Sequence, residues 1–307
     1  SRDARRTVWD IYSRYLDILD EHEENDWADI PLQFYKHADD IEDARYDEII
    51  IDEAQDLTAA QIQAARKMLV PEGCLTILTD FAQTIYARGY NWSQAGVSAP
   101  GNTYILRKNY RNTNQIVAAA TQLALRNQDL IQSGCFVSPE APQRNGPTPI
   151  LWQGAPNQEA RWVVNKILDF VQDQLFRLSD FAILCPSTDL CKTVIKELSW
   201  AELPYLFHKD AEIDILQERV KVMTIHSAKG MEFPVVFLFG INEGTLPQHR
   251  LSSITDSEEL SEQLERERLI LYVGITRAAE VLYLIGTKGK ISRFTNEIGA
   301  FLRQEPS

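Results

Sequence analysis

Apolar and polar positions along the chain follow three patterns. Val8, Ile11, Tyr12, Tyr15, Leu16 and Leu19 recur at helical spacing and predict an amphipathic helix over 4–22, with a shorter helix around Ile30–Ala38. The β-branched run Ile49-Ile50-Ile51 predicts a strand over 46–52 buried on both faces, as in a parallel sheet. A helix over Thr58–Leu69 stops before Pro71, and a second buried strand is expected at Leu75–Thr79. Residues 89–103, rich in Gly, Asn, Ser and Pro, read as a loop, followed by a brief third strand at Tyr104–Leu106 and a helix at 113–127. Residues 133–149 hold four prolines and two glycines and read as a connector lying on or beside a second domain. Beyond it, strands at 150–152, 181–185, 220–224, 235–239 and 281–285 alternate with helices at 158–174, 188–198 and 257–275. Strand–helix alternation of this kind implies an α/β fold of parallel sheets with covering helices.

A length of 307 residues with 44% hydrophobic residues suits two domains with real cores. The longest apolar run, Val235–Ile241, is too short to span a bilayer, and the N-terminal SRDARRTVWD lacks the apolar centre of a secretory signal. Cys74, Cys135, Cys185 and Cys191 show no paired spacing and read as buried thiols in a reducing compartment, with no zinc site. The expectation is a soluble cytoplasmic protein with no membrane partner.

The net charge of −13 would at first disfavour a nucleic-acid partner. Its distribution removes that objection, because residues 1–56 carry a net of −12 and the other 251 are nearly neutral. Charge therefore neither supports nor excludes DNA binding.

Candidate chemistry gathers at the ends of the predicted strands. In YDEIIIDEAQDL the apolar run ends in Asp52 and Glu53, where open α/β sheets bind ligands. An Asp there can hold Mg²⁺ with nucleotide phosphates, and a Glu can polarise a water. Taken alone, such a pair is more often a solvated acidic turn. TDFAQTIY repeats the theme with Asp80 and adds Gln83, whose amide can sense a γ-phosphate or simply face solvent. In LRKNYRN, Tyr110 can stack on a base and Arg111 fork onto a phosphate. In VKVMTIHSAKGMEF, Thr224, His226, Ser227, Lys229 and Gly230 cluster at a strand end that can grip a phosphodiester backbone. A metal at His226 is disfavoured, since no second ligand lies at suitable spacing. ERERLILYVGITRA places Arg268 and Arg277 near the two ends of an apolar helical face, and Arg277 can serve as an arginine finger.

In this order, DEAQD, D-x-x-Q-x-I-Y, NYR, TIHSAKGMEF and YVGITRA resemble the UvrD/Rep-like superfamily 1 DNA helicases, from about Trp9 to Thr287. The resemblance implies two RecA-like domains, the first incomplete, over 1–108 and 109–307, with ATP in the cleft between them and single-stranded DNA or a single/double-strand junction crossing both. It implies Mg²⁺ at Asp52, water activation by Glu53, γ-phosphate sensing by Gln83 and adenine stacking by Tyr110. Arg111 and Arg277 would stabilise the transferring phosphoryl, Glu232 would lie near the ribose, and Arg268 joins this nucleotide set. Thr224, His226 and Lys229 would contact DNA from the second domain, and Tyr86 and Arg88 from the first. The activity implied is an ATP-dependent helicase or translocase of 3′-to-5′ polarity.

The sequence departs from the family pattern in three places. Nothing before Asp52 matches G-x-x-x-x-G-K-[ST], the loop that cradles phosphates, and GTKGKIS at 286–292 has the wrong glycine spacing. The chain thus reads as the C-terminal part of a longer helicase, inactive or weakly active by itself. Ala87 stands in the slot of a DNA-stacking tryptophan, unless Tyr90 or Trp92 replaces it, and Thr79 stands where glycine is usual. Only 112 residues separate Arg111 from Thr224, too few for a large inserted subdomain. The missing phosphate loop and Ala87 also keep open a catalytically incomplete, helicase-like module that binds DNA or protein. A helicase–nuclease fusion is weaker, because no nuclease-type acid cluster follows residue 290.

Overall fold

The computed structural model describes residues 2–38, 45–80, 82, 92–98, 101–132, 136–209, 214, 216–248, 251 and 254–306. These form two compact units: one from residues 1–80 with part of 87–104, the other from Ala82 and everything after Tyr104. Among the described residues, no helix is long and apolar enough to cross a membrane.

In the first unit, α1 (Arg2–Glu21) and α2 (Asp29–His37) precede β1 (Tyr46–Ile51), α3 (Ala59–Lys67) and β2 (Leu69–Ile77). The two strands pair in parallel, with Ile49 opposite Leu75 and Ile51 opposite Ile77. A capping box starts α3: the Gln61 backbone N–H donates to Thr58 Oγ1 at 3.3 Å and the Thr58 N–H donates to Gln61 Oε1 at 2.7 Å. Three expectations need correction here, the first being the burial of β2, none of whose residues is buried. Burial of β1 on both faces is not found, since Ile50 is 68% exposed on a sheet of two strands among the described residues. Tyr104–Leu106 is not a strand: it pairs with no neighbour among the described residues, and Tyr104 and Leu106 are almost fully exposed.

The second unit is a doubly wound parallel sheet. After α4 (Asn114–Ala124) and α5 (Gln128–Gln132) come β3 (Ile150–Gly154), α6 (Glu159–Gln172), β4 (Phe181–Cys185), α7 (Thr188–Trp200), β5 (Tyr205–Phe207) and β6 (Val220–Thr224). Then follow β7 (Phe233–Phe239), α8 (Ser257–Thr276), β8 (Ala278–Thr287), α9 (Arg293–Glu297) and β9 (Arg303–Glu305). The strand order is β5-β6-β4-β7-β8-β3-β9, and every pairing is parallel.

Alternation along the strands sorts side chains to two faces. Ala182, Leu184, Met223, Val236, Leu238, Leu282 and Leu284 face α4 and α8, whereas Phe181, Ile183, Val222, Phe237 and Tyr283 face α6 and α7. Gly274 of α8 lies so close to β7 that an added Cβ would sit 2.8 Å from Leu238 Cδ2. The proline-rich connector lies on this unit, as expected: the Asn114 N–H donates to Arg144 O, and Arg144 pairs with Glu280 at 2.5 Å. The cysteines divide, with Cys185 and Cys191 buried and Cys74, expected to be buried, exposed.

Candidate nucleotide and nucleic-acid sites

The acids of the first unit sit where β1 ends. Asp52 is exposed, and its Oδ1 accepts the Glu53 backbone N–H at 2.8 Å, leaving Oδ2 available to a cation. Glu53 adopts a left-handed backbone (φ 51°), costly for a residue with a Cβ. Gln55, buried at 1% exposure, holds this turn: its Nε2 donates to Glu53 Oε2 and its Oε1 accepts the Asp80 N–H at 3.1 Å. One amide thus ties the acid at the end of β1 to the acid beyond the end of β2. The sequence shows Gln55 beside the acids but not that its side chain turns back between two strand ends. Gln83, Tyr86 and Arg88, together with Ala87 and Tyr90, lie outside the described residues.

In the second unit the structure brings Tyr110, Arg111, Glu232 and Arg277 together. Arg111 Nε pairs with Glu232, and Tyr110 beside it is 83% exposed, its ring open to a base. Arg277 follows α8 directly and is wholly buried. Its Nε donates to Val273 O at 3.1 Å, Nη1 to Met231 O at 3.1 Å and Nη2 to Thr276 Oγ1 at 3.1 Å, while its carbonyl accepts the Phe233 N–H at 3.0 Å. The residues on either side of Glu232 are therefore both fastened to Arg277. Sequence reading sees Arg277 as a projecting finger; the fold shows an arginine packed within its own unit.

Arg268 is placed differently from expectation. Instead of facing the group just described, it braces α8 against α9. Its Nε and Nη2 fork onto Glu297 at 2.8 and 2.9 Å, its Nη1 binds Glu265, and its guanidinium lies 5.2 Å from the Phe294 ring centre. With Arg268 and both carboxylates mostly buried, Arg268→Ala should cost about 3 kcal/mol, because two acids lose their counter-charge in a low-dielectric setting. Urea unfolding of the chain measures this. A variant as stable as the parent would show that the brace contributes nothing.

The segment after β6 carries the other polar cluster. Thr224 Oγ1 and Ser227 Oγ lie 2.8 Å apart, the Ser227 N–H donates to Thr224 Oγ1 at 3.2 Å, and the Lys229 N–H donates to His226 O at 3.3 Å. Thr224, His226 and Lys229 are all partly exposed. Burial pushes the His226 pKa below its usual value, so the ring is neutral at pH 7 and can reach a phosphate only as an N–H donor. Gly230 has φ +79° with no atom near its missing Cβ, so a backbone could approach closely there. Residues 225–232 thus join the Thr224–Lys229 cluster to Glu232.

Two family models match the chain. The UvrD-like helicase C-terminal domain model matches residues 104–213 and 207–289, and the UvrD/REP helicase N-terminal domain model matches residues 1–97. The ATP-dependent DNA helicase PcrA of Bacillus subtilis (strain 168) is 47% identical over 72 residues, covering 24% of this chain and 9% of that protein. PcrA of Staphylococcus aureus (strain Mu50) is 41% identical over 98 residues, covering 29% of this chain and 13% of that protein. The aligned stretches thus span only a small part of these relatives. A crystal structure of the C-terminal domain of a possible DNA helicase from Lactobacillus plantarum WCFS1 covers 64% of this chain and 98% of that one, at 18% identity and a TM-score of 0.45. The C-terminal domain model alone takes in more than half of the residues, and the chain belongs to the UvrD-like family of DNA helicases.

Proposed function

We propose that the protein carrying this chain is an ATP-dependent helicase or translocase that moves 3′-to-5′ on single-stranded DNA, in the cytoplasm. The observation that carries this reading is the group in the second unit. An exposed aromatic, Tyr110, stands beside Arg111 paired with Glu232, and both neighbours of Glu232 are fastened to Arg277. A base-sized surface, a carboxylate and two guanidinium groups at one place suit a nucleoside triphosphate better than any other common ligand.

Mg²⁺, when bound at Asp52, would neutralise phosphate charge. The Asp52 Oδ2 left available fits that role. Glu53, oriented by Gln55, draws a proton from the attacking water. Tyr110 stacks on adenine, Glu232 accepts from the ribose, and Arg111 balances charge on the phosphoryl group as it transfers. Arg277 can join it only by releasing one of the groups that now hold it. Gln83 senses the γ-phosphate. Thr224, His226 and Lys229, with Tyr86 and Arg88, hold the phosphodiester backbone, a contact to which His226 brings no charge.

The sequence contains no G-x-x-x-x-G-K-[ST] loop, so the chain by itself should turn over little or no ATP. That same feature favours the second reading, a helicase-like binding module without hydrolysis. The discriminating experiment measures ATP hydrolysis by the natural protein with and without single-stranded DNA. Stimulation by DNA is expected, and an absence of hydrolysis in both would favour the module.

The same preparation tests the DNA contact. Lys229→Ala should weaken single-stranded DNA binding for all sequences alike and lower the slope of log K against log salt by about 0.7, the share of one phosphate contact. An unchanged salt slope would remove Lys229 from the interface.

A further inference from the structure

Between the two arginines stands a side chain to which no role has been given. Asn112 is 3% exposed, and its Nδ2 donates to Thr276 O at 3.0 Å and to Ala278 O at 2.6 Å, the carbonyls on either side of Arg277. Its Oδ1 accepts from Asn109 Nδ2 at 2.9 Å. Asn109 Oδ1 in turn accepts the backbone N–H groups of Arg111 at 3.0 Å and Asn112 at 2.9 Å. Both hydrogens of one amide are used, on two acceptors that bracket one residue. A hydroxyl offers a single donor and a carboxylate none, so a primary amide on a short stem is what this position requires.

The Arg111–Glu232 pair ties the same turn to the segment before β7, with its side chains 38% and 55% exposed. Exposed ion pairs hold geometry weakly, whereas a buried donor that loses its acceptors has no water to replace them. The buried amide, rather than the ion pair, therefore fixes the backbone that carries Arg111 relative to the one that carries Arg277.

We propose that Asn112 is a positioning residue for phosphoryl transfer, clamping the Arg111 turn to the Arg277 turn so that the backbones bearing the two arginines keep one spacing. The proposal rests on the ATP-hydrolysing reading above. Charge stabilisation in the transition state falls steeply with small displacements, so loosening this clamp should affect turnover more than binding.

Asn112→Asp keeps the shape, removes both donors and sets a carboxylate against two carbonyls. In the natural protein with single-stranded DNA, kcat should fall about 10- to 100-fold while KM for ATP stays within about twofold. Combining it with Arg111→Lys should cost less than the product of the two single effects, because the arginine is already misplaced. If Asn112→Asp does not fold, Asn112→Ser, which keeps one donor, should show the same kcat-selective loss at smaller size. Glu53→Gln serves as the control. If Glu53→Gln silences turnover and both Asn112 variants retain normal kcat, the positioning role is overturned and the ATPase reading stands. If the natural protein hydrolyses no ATP with or without single-stranded DNA, the ATPase reading fails and this role with it. Hydrogen exchange on the present chain gives a readout independent of catalysis: in the variant, residues 105–114 and 273–280 should both exchange faster. Loosening of one segment alone would overturn the clamp.

Discussion

Glu53→Gln is expected to lower DNA-stimulated ATP turnover by the natural protein by about 100- to 10,000-fold, the usual contribution of a positioned general base. Glutamine matches glutamate in size and keeps an oxygen for Gln55 Nε2, so the left-handed turn at residue 53 and its link to Asp80 should survive. What is lost is the negative charge that can take a proton. KM for ATP should change by no more than a few-fold, because Glu53 acts on the water and Asp52 remains to hold the cation. Steady-state kinetics with single-stranded DNA in excess measures both constants. Turnover within tenfold of the parent would mean that another group activates the water.

The second large effect concerns stability. Arg277→Ala should destabilise the second unit by about 4 kcal/mol, for two overlapping reasons. Removing a wholly buried side chain of this size leaves a cavity, and large-to-small replacements in cores cost about 3–5 kcal/mol. The carbonyls of Val273 and Met231 also lose a charged donor without gaining water, at about 1–3 kcal/mol each when fully unsatisfied. Partial relaxation keeps the total near the cavity figure. Denaturant unfolding of the chain, followed by tryptophan fluorescence from Trp152 and Trp162 in the core of this unit, gives the number. A midpoint equal to that of the parent would return Arg277 to the status of a surface finger. The prediction also separates two meanings of an inactive Arg277 variant, since loss of activity through unfolding says nothing about contact with phosphate.

The four longer helices of the second unit and its central strands are legible because each repeats a period long enough to register, whereas α5 and α9, five residues each, are not. Val163, Val164 and Ile167 of α6 share one face, and Phe181 to Cys185 form an unbroken apolar run between polar turns. β5 and β9, with three residues each, are too short to show a period and went unseen. β2 begins six residues earlier than expected, because Pro71 and Gly73 read as a break. Pro71 falls where the register with β1 shifts, between the Tyr46–Leu69 and Glu48–Cys74 pairs, so its missing donor interrupts no regular ladder bond. Tyr104–Leu106 failed in the opposite sense, since apolar content without a neighbouring ladder does not make a strand.

At the site, motifs disclosed which side chains carry charge but not which are already engaged. Nothing near Arg268 in the sequence reveals Glu297, 29 positions away, as the acid that occupies it. Asn112 lies 164 residues from Thr276, and its role exists only once α8 and β8 have folded.

Gly274 bears on how force could pass through the second unit. At that point α8 contributes no side chain, and Leu238 of β7 fills the space a methyl group would need. Three residues later the chain reaches Arg277, with no flexible linker between. Leu238 thus backs the last turn of α8, so a push on that turn bears directly on the sheet, and a bulkier residue at 274 would displace the turn that leads to Arg277.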